Sequence, residues 1–586
     1  MSDTTTGGAL ATRLDLPFAA GEAASGPLTW AQSVMWGPLR WFGKEANQFN
    51  IGRPLVLAAP VPQDRLLAAL RTLIEEHQTL RTHYVESAGQ PQQQVAATGT
   101  YEVTVVDDGG DPARVGAELT QELTGAAFDH DTEWPLRVGG VVDAAGRVTG
   151  VALVGSHLAF DGWSFGTLVD LLLDRLADDR TGTPPRESPA DGTVPQPLEQ
   201  AAYQASEAGR QQSERGLRHW AQGLATAPAS MFDVPRAPTG DHPIERHLLD
   251  SAAVSAAAAT LAARTRTSFS TVLLGLTTVI LTAYNGHDTC VLKLITGNRL
   301  DRRSRDLIAL NTLDALLTCT VSDVDLLTAI RQVHRPAFDA YRRAQCDPAG
   351  VHRVVTETGR RRGVSFDLSA YFNNGHRGND WAPTGPAPGV AQLADLRRAS
   401  EYTRLEPLTR SDMTFMVAAS NPGDGRCRLG LLVDTAYLPA PAGETIVRGI
   451  ETLLCDALTE EIRVSDVAAR IGLTPARRGA DWIRTDTGWI RPDDVADLVR
   501  RAAGGATTTV VTDRDPTGGA HLTAYVADPS LSPGTLHHRV LDLLPGHTGV
   551  AAPTEYVICA AAPRTGSGPA AWRDAPVAAR GSGRPA

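Results

Sequence analysis

Long hydrophobic runs are scarce in these 586 residues. The longest, around residues 271–284, is too short to span a bilayer and is broken by threonines, so it is expected to be a buried helix. The start of the chain, Met1 to Gly8, is small and polar and lacks the basic-then-apolar order of a secretory signal. These absences lead to the expectation of a soluble, cytoplasmic protein with no membrane partner. No Lys/Arg-rich run stands out and the net charge is −11, so nucleic acid is not expected as a partner. The six cysteines (Cys290, Cys319, Cys346, Cys427, Cys455 and Cys559) stand far apart with no CxxC pair. That argues against a zinc site or a disulfide framework, and predicts reduced, buried thiols. No metal site is expected. No short-period repeat occurs.

What remains is an ordinary globular composition, 42% hydrophobic and 21% charged, of a length that suits about three or four domains. Residues 1–24 are rich in Gly, Ala and Thr and are expected to be poorly ordered. A short helix is expected from Leu28 to Trp36. A clear amphipathic helix opens at Asp64, with Leu66, Leu67, Leu70, Leu73 and Ile74 on one face. Strand character follows over residues 79–85 and 92–106, and helical character over 112–124. Residues 178–197, rich in Asp, Gly, Pro and Ser, read as a linker or long loop, and a polar helix follows over 199–220. A second half begins near His247 and repeats the grammar of the first. Its buried helix is introduced by Ser268 and stopped by Asn285-Gly286, and strands are expected at 290–295 and 430–434. Beyond about residue 475 the composition shifts to Gly, Ala, Thr and Pro, with alternating strands near 507–511 and 521–526. The expected organisation is α/β (α+β). It has lobes at 25–183 and 184–465, a small α+β domain at 475–570 and a disordered tail at 571–586.

The centre of the chain is Gly155-Ser156-His157-Leu158-Ala159-Phe160-Asp161-Gly162-Trp163-Ser164. The apolar run over residues 151–154 predicts a buried strand before it. Leu168, Leu171, Leu172 and Leu176 predict a helix after it, with Ser164 placed as its cap. A histidine at a strand end, followed by Asp-Gly at a turn into a helix, is a way to hold an imidazole still. The same turn points backbone N–H groups at a ligand.

These residues resemble the HHxxxDG signature of the condensation domains of nonribosomal peptide synthetases, within the chloramphenicol-acetyltransferase-like superfamily. Other motifs follow in the family's order. Thr29-Trp30-Ala31-Gln32 with Trp36 resembles its SxAQxxxW, and Glu76-His77-Gln78-Thr79-Leu80-Arg81-Thr82 resembles its RHExLRT. Gly297-Asn298-Arg299 resembles the GR step after a core strand, and Asn311-Thr312-Leu313 the VNT element. Phe366-Asp367 to Asn373-Asn374 resembles a strand ending in QN, and Arg410-Ser411-Asp412-Met413-Thr414 the late DL strand. The resemblance covers about residues 25–465. It implies two chloramphenicol-acetyltransferase-like lobes in a V-shaped pseudo-dimer, with the motif in a tunnel at their junction. It also implies that donor and acceptor enter on the phosphopantetheine arms of peptidyl or acyl carrier proteins, with no cofactor bound by the chain itself.

In such a condensation the amine loses a proton as it attacks and the carbonyl oxygen gains charge. Imidazole can accept or share that proton near neutral pH. His157 takes that role, as base or as orienting acceptor, and the Gly162 N–H is placed to donate to the oxyanion. Asp161 is read as structural, a buried carboxylate needing a partner, and the resemblance gives that partner as Arg299. Asn374, and with less support Asn373, reaches the tunnel or is a strand-end amide satisfied by backbone. His77 and Arg81 tie a helix end to the core, and Trp30, Trp36 and Trp163 are core or tunnel wall. Ser156 stands where the family signature has its first histidine. A hydroxyl there still donates one hydrogen bond and accepts others.

No GGxS serine for a phosphopantetheine arm occurs, so the expectation is a free-standing enzyme meeting carriers in trans, with an amine or alcohol small-molecule acceptor. Gly488-Trp489-Ile490-Arg491-Pro492, residues 522–526, Leu543-Leu544-Pro545 and Pro563 to Gly568 resemble the small C-terminal subdomain of adenylation domains. Pro569 stands where that family has a lysine, so this region is expected to be a degenerate relic or an unrelated α+β domain. The leading functional expectation is amide formation. Ester formation with an alcohol and a non-catalytic recruitment domain of the same fold stand beside it.

Overall fold

The computed structural model describes residues 4–6, 9–177, 195–299, 302–375, 388–422, 424–514, 519–563 and 568–584. They fall into two compact units. The first holds Met1–Glu214, Gly297–Leu313 and Gln345–Pro348; the second holds Arg215–Thr296, Asp314–Ala344 and Ala349–Ala586. The first lobe thus runs past the boundary expected at 183. The reason is that the helix Pro197–Ala205 packs back on it: Trp30 N donates to Gln204 Oε1 (2.8 Å) and Gln78 N to Gln196 Oε1 (3.0 Å). The expected polar helix over 199–220 is two helices, Pro197–Ala205 and Glu207–Leu224. The linker read over 178–197 lies outside the described residues as far as 194.

The first unit is built on a six-stranded mixed sheet. Its order is Thr4–Thr6, Ala9–Ala19, Thr98–Asp107, Leu136–Val142, Arg147–Gly155 and Ile51–Pro62. Over Ala9–Ala19 the expected poorly ordered N-terminus is instead a strand, while residues 1–3, 7 and 8 lie outside the described residues. Residues 12–19 of Ala9–Ala19 pair with Thr98–Asp107, and the strand buries Leu16 (1% exposed) and Phe18 (4%). The period-two alternation Leu14, Leu16, Phe18 was hidden under a Gly/Ala/Thr composition. On one face of the sheet, Val151 and Leu153 of the motif strand meet the helices Gln63–Glu76 and Gly162–Leu176 through Leu70, Leu73, Leu168 and Leu172. On the other, Ala152 and Val141 meet Leu119 of the helix Pro112–Thr124. A strand covered on both faces needs no polar side, which is why residues 151–154 form a continuous apolar run.

The second unit repeats the plan. Its seven-stranded mixed sheet has the order Leu313–Thr320, Thr289–Thr296, Ala370–Asn374, Phe415–Ser420, Cys427–Asp434, Ile244–Ser251 and Glu401–Leu408. The helix Phe269–Asn285 is almost wholly buried. Ser268 caps it at the start, and Gly286 ends it at φ 67°. The two α/β lobes expected from the sequence are present.

Residues beyond 475 carry a further four-stranded sheet, Thr508–Arg514, Ala520–Val526, Glu555–Cys559 and Val577–Gly581, with the helices Pro492–Ala502 and Pro533–Leu543. The expected disordered tail over 571–586 is also corrected. Trp572 is buried, and Val577–Gly581 pairs with Glu555–Cys559, where Arg580 grips Glu555 at 2.7 Å. This region shares its core with the second unit: Val364 lies among Ile490, Val495, Leu522 and Leu536. Asp233, Arg478 (2.6 Å) and His287 (3.2 Å) form a buried polar link beside it. Residues 564–567 of the Pro563 to Gly568 motif lie outside the described residues. The six cysteines are buried, and no disulfide joins them. Among the described residues no single helix is long and apolar enough to cross a membrane.

Candidate active site

The strand Arg147–Gly155 ends at a glycine for a steric reason. A Cβ on Gly155 would stand 2.7 Å from Phe165 and 2.8 Å from Phe160. Those two rings pack edge to face, 5.5 Å apart, and fold the turn and helix back over the strand end. Ser156 organises the turn. Its N–H donates to Pro135 O (2.9 Å), and its carbonyl accepts from Ala159 N and Phe160 N, both at 3.0 Å.

His157 is half-buried at this turn. Its Nδ1 lies 2.6 Å from Phe160 O. A carbonyl can only accept, so Nδ1 carries the hydrogen and Nε2 is left with its lone pair. The fold thus fixes the tautomer a proton acceptor needs.

Asp161, not Ser164, is the N-cap of the helix Gly162–Leu176. The cap needs extended backbone, and Asp161 has it (φ −103°, ψ 170°). Ser164 is the third helical residue and completes a reciprocal box: Ser164 N donates to Asp161 Oδ1 (2.7 Å) and Asp161 N to Ser164 Oγ (3.1 Å). The rest of the Asp161 carboxylate is taken by the segment Gly297–Leu313. Arg299 Nη2 lies 3.0 Å from Oδ1 and 3.1 Å from Oδ2; Asn311 N (3.0 Å) and Thr312 Oγ1 (3.2 Å) donate to Oδ2. Arg299 also donates to the carbonyls of Ser304, Leu307 and Ala309. Burial alone would raise the Asp161 carboxyl, but Arg299 and the Ser164 and Asn311 amides hold it below its ordinary value. Asn298, at φ 52°, donates to Asn311 O (3.1 Å), while Asn311 Nδ2 donates to Asn298 O (3.2 Å), so the two asparagines clasp the segment. Asn tolerates that left-handed backbone better than most residues.

Gly162 is the first residue of the helix, where N–H groups have no partner within the helix. A Cβ there would meet nothing within 4 Å, and its φ is not positive. No protein atom demands glycine at this position. Trp163 is anchored by Nε1 to Arg305 O (2.9 Å). Arg81 and His77 are buried, and Arg81 donates to Ala96 O (2.7 Å), as structural residues do.

The structure therefore gathers Ser156, His157, Asp161, Gly162, Trp163, Ser164 and Arg299 in the first unit. Asn374 belongs to the second, at the end of the strand Ala370–Asn374. Its Oδ1 is buried and accepts no hydrogen bond among the described residues. One residue escaped the sequence analysis. His130 Nε2 lies 2.7 Å from Ser156 Oγ. A lone histidine in a loop upstream carries no spacing signal that points to position 156.

Comparison with known proteins places these features. The family model described as Condensation domain matches residues 23–343. Among curated relatives, a probable non-canonical nonribosomal peptide synthetase, CymA of Salinispora arenicola, is 32% identical over 37% of this chain and 3% of its own length. Phosphinothricin tripeptide synthetase PhsC of Streptomyces viridochromogenes is 27% identical over 52% of this chain and 29% of its own. The chain spans from 1% to 29% of the length of the curated relatives it matches. In structure, the condensation domain of the monacolin K polyketide synthase MokA matches 76% of this chain and 100% of its own, at a TM-score of 0.59 and 14% identity, which is a likeness of fold. The family match covers more than half of the 586 residues, and the chain belongs to the condensation-domain family.

Proposed function

We propose that this protein transfers an acyl or aminoacyl group from a carrier-bound thioester to an amine, forming an amide. The observation that carries the reading is the His157 ring, held by Phe160 O with its Nε2 lone pair unspent. The acceptor nitrogen attacks the thioester carbonyl. A C–N bond forms, the carbonyl oxygen takes up negative charge, and the surplus amine proton passes to His157 Nε2. Collapse breaks the C–S bond, and the departing thiolate takes a proton back. The Gly162 N–H stands at the start of a helix, where the partial positive charge of the helix end favours an oxyanion. Asp161 and Arg299 hold the frame. The thioester is carried on the phosphopantetheine arm of a carrier protein.

The test is intact-protein mass spectrometry with carrier proteins from the same gene neighbourhood, loaded as donor and offered amine or alcohol acceptors. Transfer to an amine that disappears with His157→Ala supports the reading. Transfer only to alcohols makes the product an ester. Transfer indifferent to His157→Ala, or none with any loaded pair, overturns it.

A further inference from the structure

Ser156 departs from the signature by replacing an imidazole with a hydroxyl, yet an imidazole still lies beside that hydroxyl. It comes from His130, 26 residues upstream. Three contacts fix where that ring stands. The His130 carbonyl accepts from Tyr84 N (2.9 Å). The turn that carries it is closed by Glu133 N donating to Asp129 O (2.7 Å). Arg137 braces the same loop, donating to Ala126 O (2.8 Å), Ala127 O (3.1 Å) and Glu133. The loop meets the motif at two adjacent places, Pro135 O with Ser156 N and His130 Nε2 with Ser156 Oγ.

The hydroxyl has one donor and can accept as well. Leu158 N donates to Ser156 Oγ (3.2 Å). The remaining role, donation from Oγ to a bare ring nitrogen of His130, satisfies both groups when His130 is neutral. Burial pushes the His130 imidazole down to about 4, against the smaller pull of Glu133, Asp129 and Asp131 and with a push from Arg137. It is therefore neutral at physiological pH. Ser156 is 1% exposed, so it is shut off from substrate and is not a nucleophile.

What Ser156 holds is the turn itself. Its Oγ takes the Leu158 amide, and its carbonyl takes the Ala159 and Phe160 amides. The last residue of that turn supplies Phe160 O, the acceptor that fixes His157 Nδ1–H. We propose that His130 is a positioning residue for His157: through Ser156 it locks the turn whose Phe160 carbonyl sets the His157 tautomer, and so supplies from outside the motif the imidazole missing at position 156. The proposal rests on the reading of His157 as proton acceptor.

The test has two readouts, steady-state transfer and long-range 1H–15N spectra of the histidine rings, which report the tautomer without any substrate. The variants are His130→Ala, Ser156→Ala, their double, His130→Gln, and His130→Ala with Ser156→His. Both single alanine variants should lower kcat roughly tenfold at unchanged KM, well short of the loss in His157→Ala. The double should lose no more than either single, because both cut one link. His157 should shift from the Nδ1–H form to a tautomer mixture in all three. His130→Gln keeps a polar group near the place of Nε2 and should recover most of the loss. Ser156→His with His130→Ala restores the imidazole along the chain and should recover it too. If His130→Ala does not fold, Ser156→Ala and His130→Gln decide alone. An unchanged His157 spectrum in Ser156→Ala overturns the proposal, as does additive loss in the double or failure of both rescues. If no carrier pair supports transfer, the functional reading has failed, and the ring spectra still decide the role of His130.

Discussion

One guanidinium nitrogen of Arg299 touches both carboxylate oxygens of Asp161, at 3.0 and 3.1 Å, across 138 residues of chain. Both side chains are buried, Asp161 at 3% exposure and Arg299 at 8%. Every further hydrogen on this carboxylate comes from the backbone or hydroxyl of neighbouring elements. An acid so saturated has no lone pair to spare for chemistry. It pins the start of the motif helix to the segment Gly297–Leu313, and the reacting group is its neighbour in the turn.

Removing either partner therefore leaves an uncompensated buried charge. Asp161→Ala and Arg299→Ala should each destabilise by roughly 3–5 kcal/mol, with transfer lost as the turn loosens. The double variant should cost clearly less than the sum, since the two share one interaction. Urea unfolding followed by circular dichroism reads this. A full-strength melting temperature in Asp161→Ala would mean the pair is dispensable.

His157 should behave in the opposite way. It is half-buried, and its ring bonds locally, to Phe160 O. His157→Ala should keep the melting temperature within a few degrees while transfer falls by roughly 10²- to 10⁴-fold, the range for a lost proton acceptor. Measuring both on one preparation separates it from Asp161→Ala, which should fail in both assays.

Gly162 offers a sharper version of the same split. A Cβ there meets no protein atom, and its backbone suits any residue, so Gly162→Ala should fold with unchanged or slightly higher stability. Transfer should nonetheless drop, because a methyl added at the helix start crowds an oxyanion received by the Gly162 N–H. Unimpaired transfer would remove Gly162 from the oxyanion role.

Periodic and contiguous signals made much of this legible in the sequence. The buried strand over 151–154, the helix face from Leu66 to Ile74 and the Gly286 stop announce themselves because one face or one turn dictates residue type. Composition misled at both ends. Leu16 and Phe18 at one end bury in a strand paired with Thr98–Asp107, and at the other Trp572 is buried while Val577–Gly581 pairs with Glu555–Cys559; no local rule reveals such pairing. The cap was misplaced by three residues because Asp161 and Ser164 each serve the other's backbone, so either could head the helix by residue type. Arg299 entered through a motif in the right order. His130 could not, since its bond to Ser156 depends on how a loop folds over a strand end.

Acid should weaken the fold in a defined window. Burial pushes His77, His130 and His537 down to about 4 from an ordinary value of 6.5. The folded state thus favours their neutral forms, while the unfolded chain binds protons below about pH 6.5. Their contribution to stability is complete above pH 6.5 and is lost as the pH falls from there toward 4, where the folded-state rings begin to protonate as well. Each such group adds a slope of up to about 1.4 kcal/mol per pH unit inside that window. Asp161, whose folded carboxyl lies below its ordinary value, adds its loss only under about pH 4. Melting temperature should therefore be level from pH 8 to 7 and fall steadily between 6.5 and 4. His537 is fully buried beside Tyr556 (3.2 Å) and belongs to the second unit, so His537→Gln removes one titrating group without touching His157. The slope of melting temperature against pH should become shallower in that variant. An identical acid limb in the two proteins would show that the buried imidazoles do not govern acid stability.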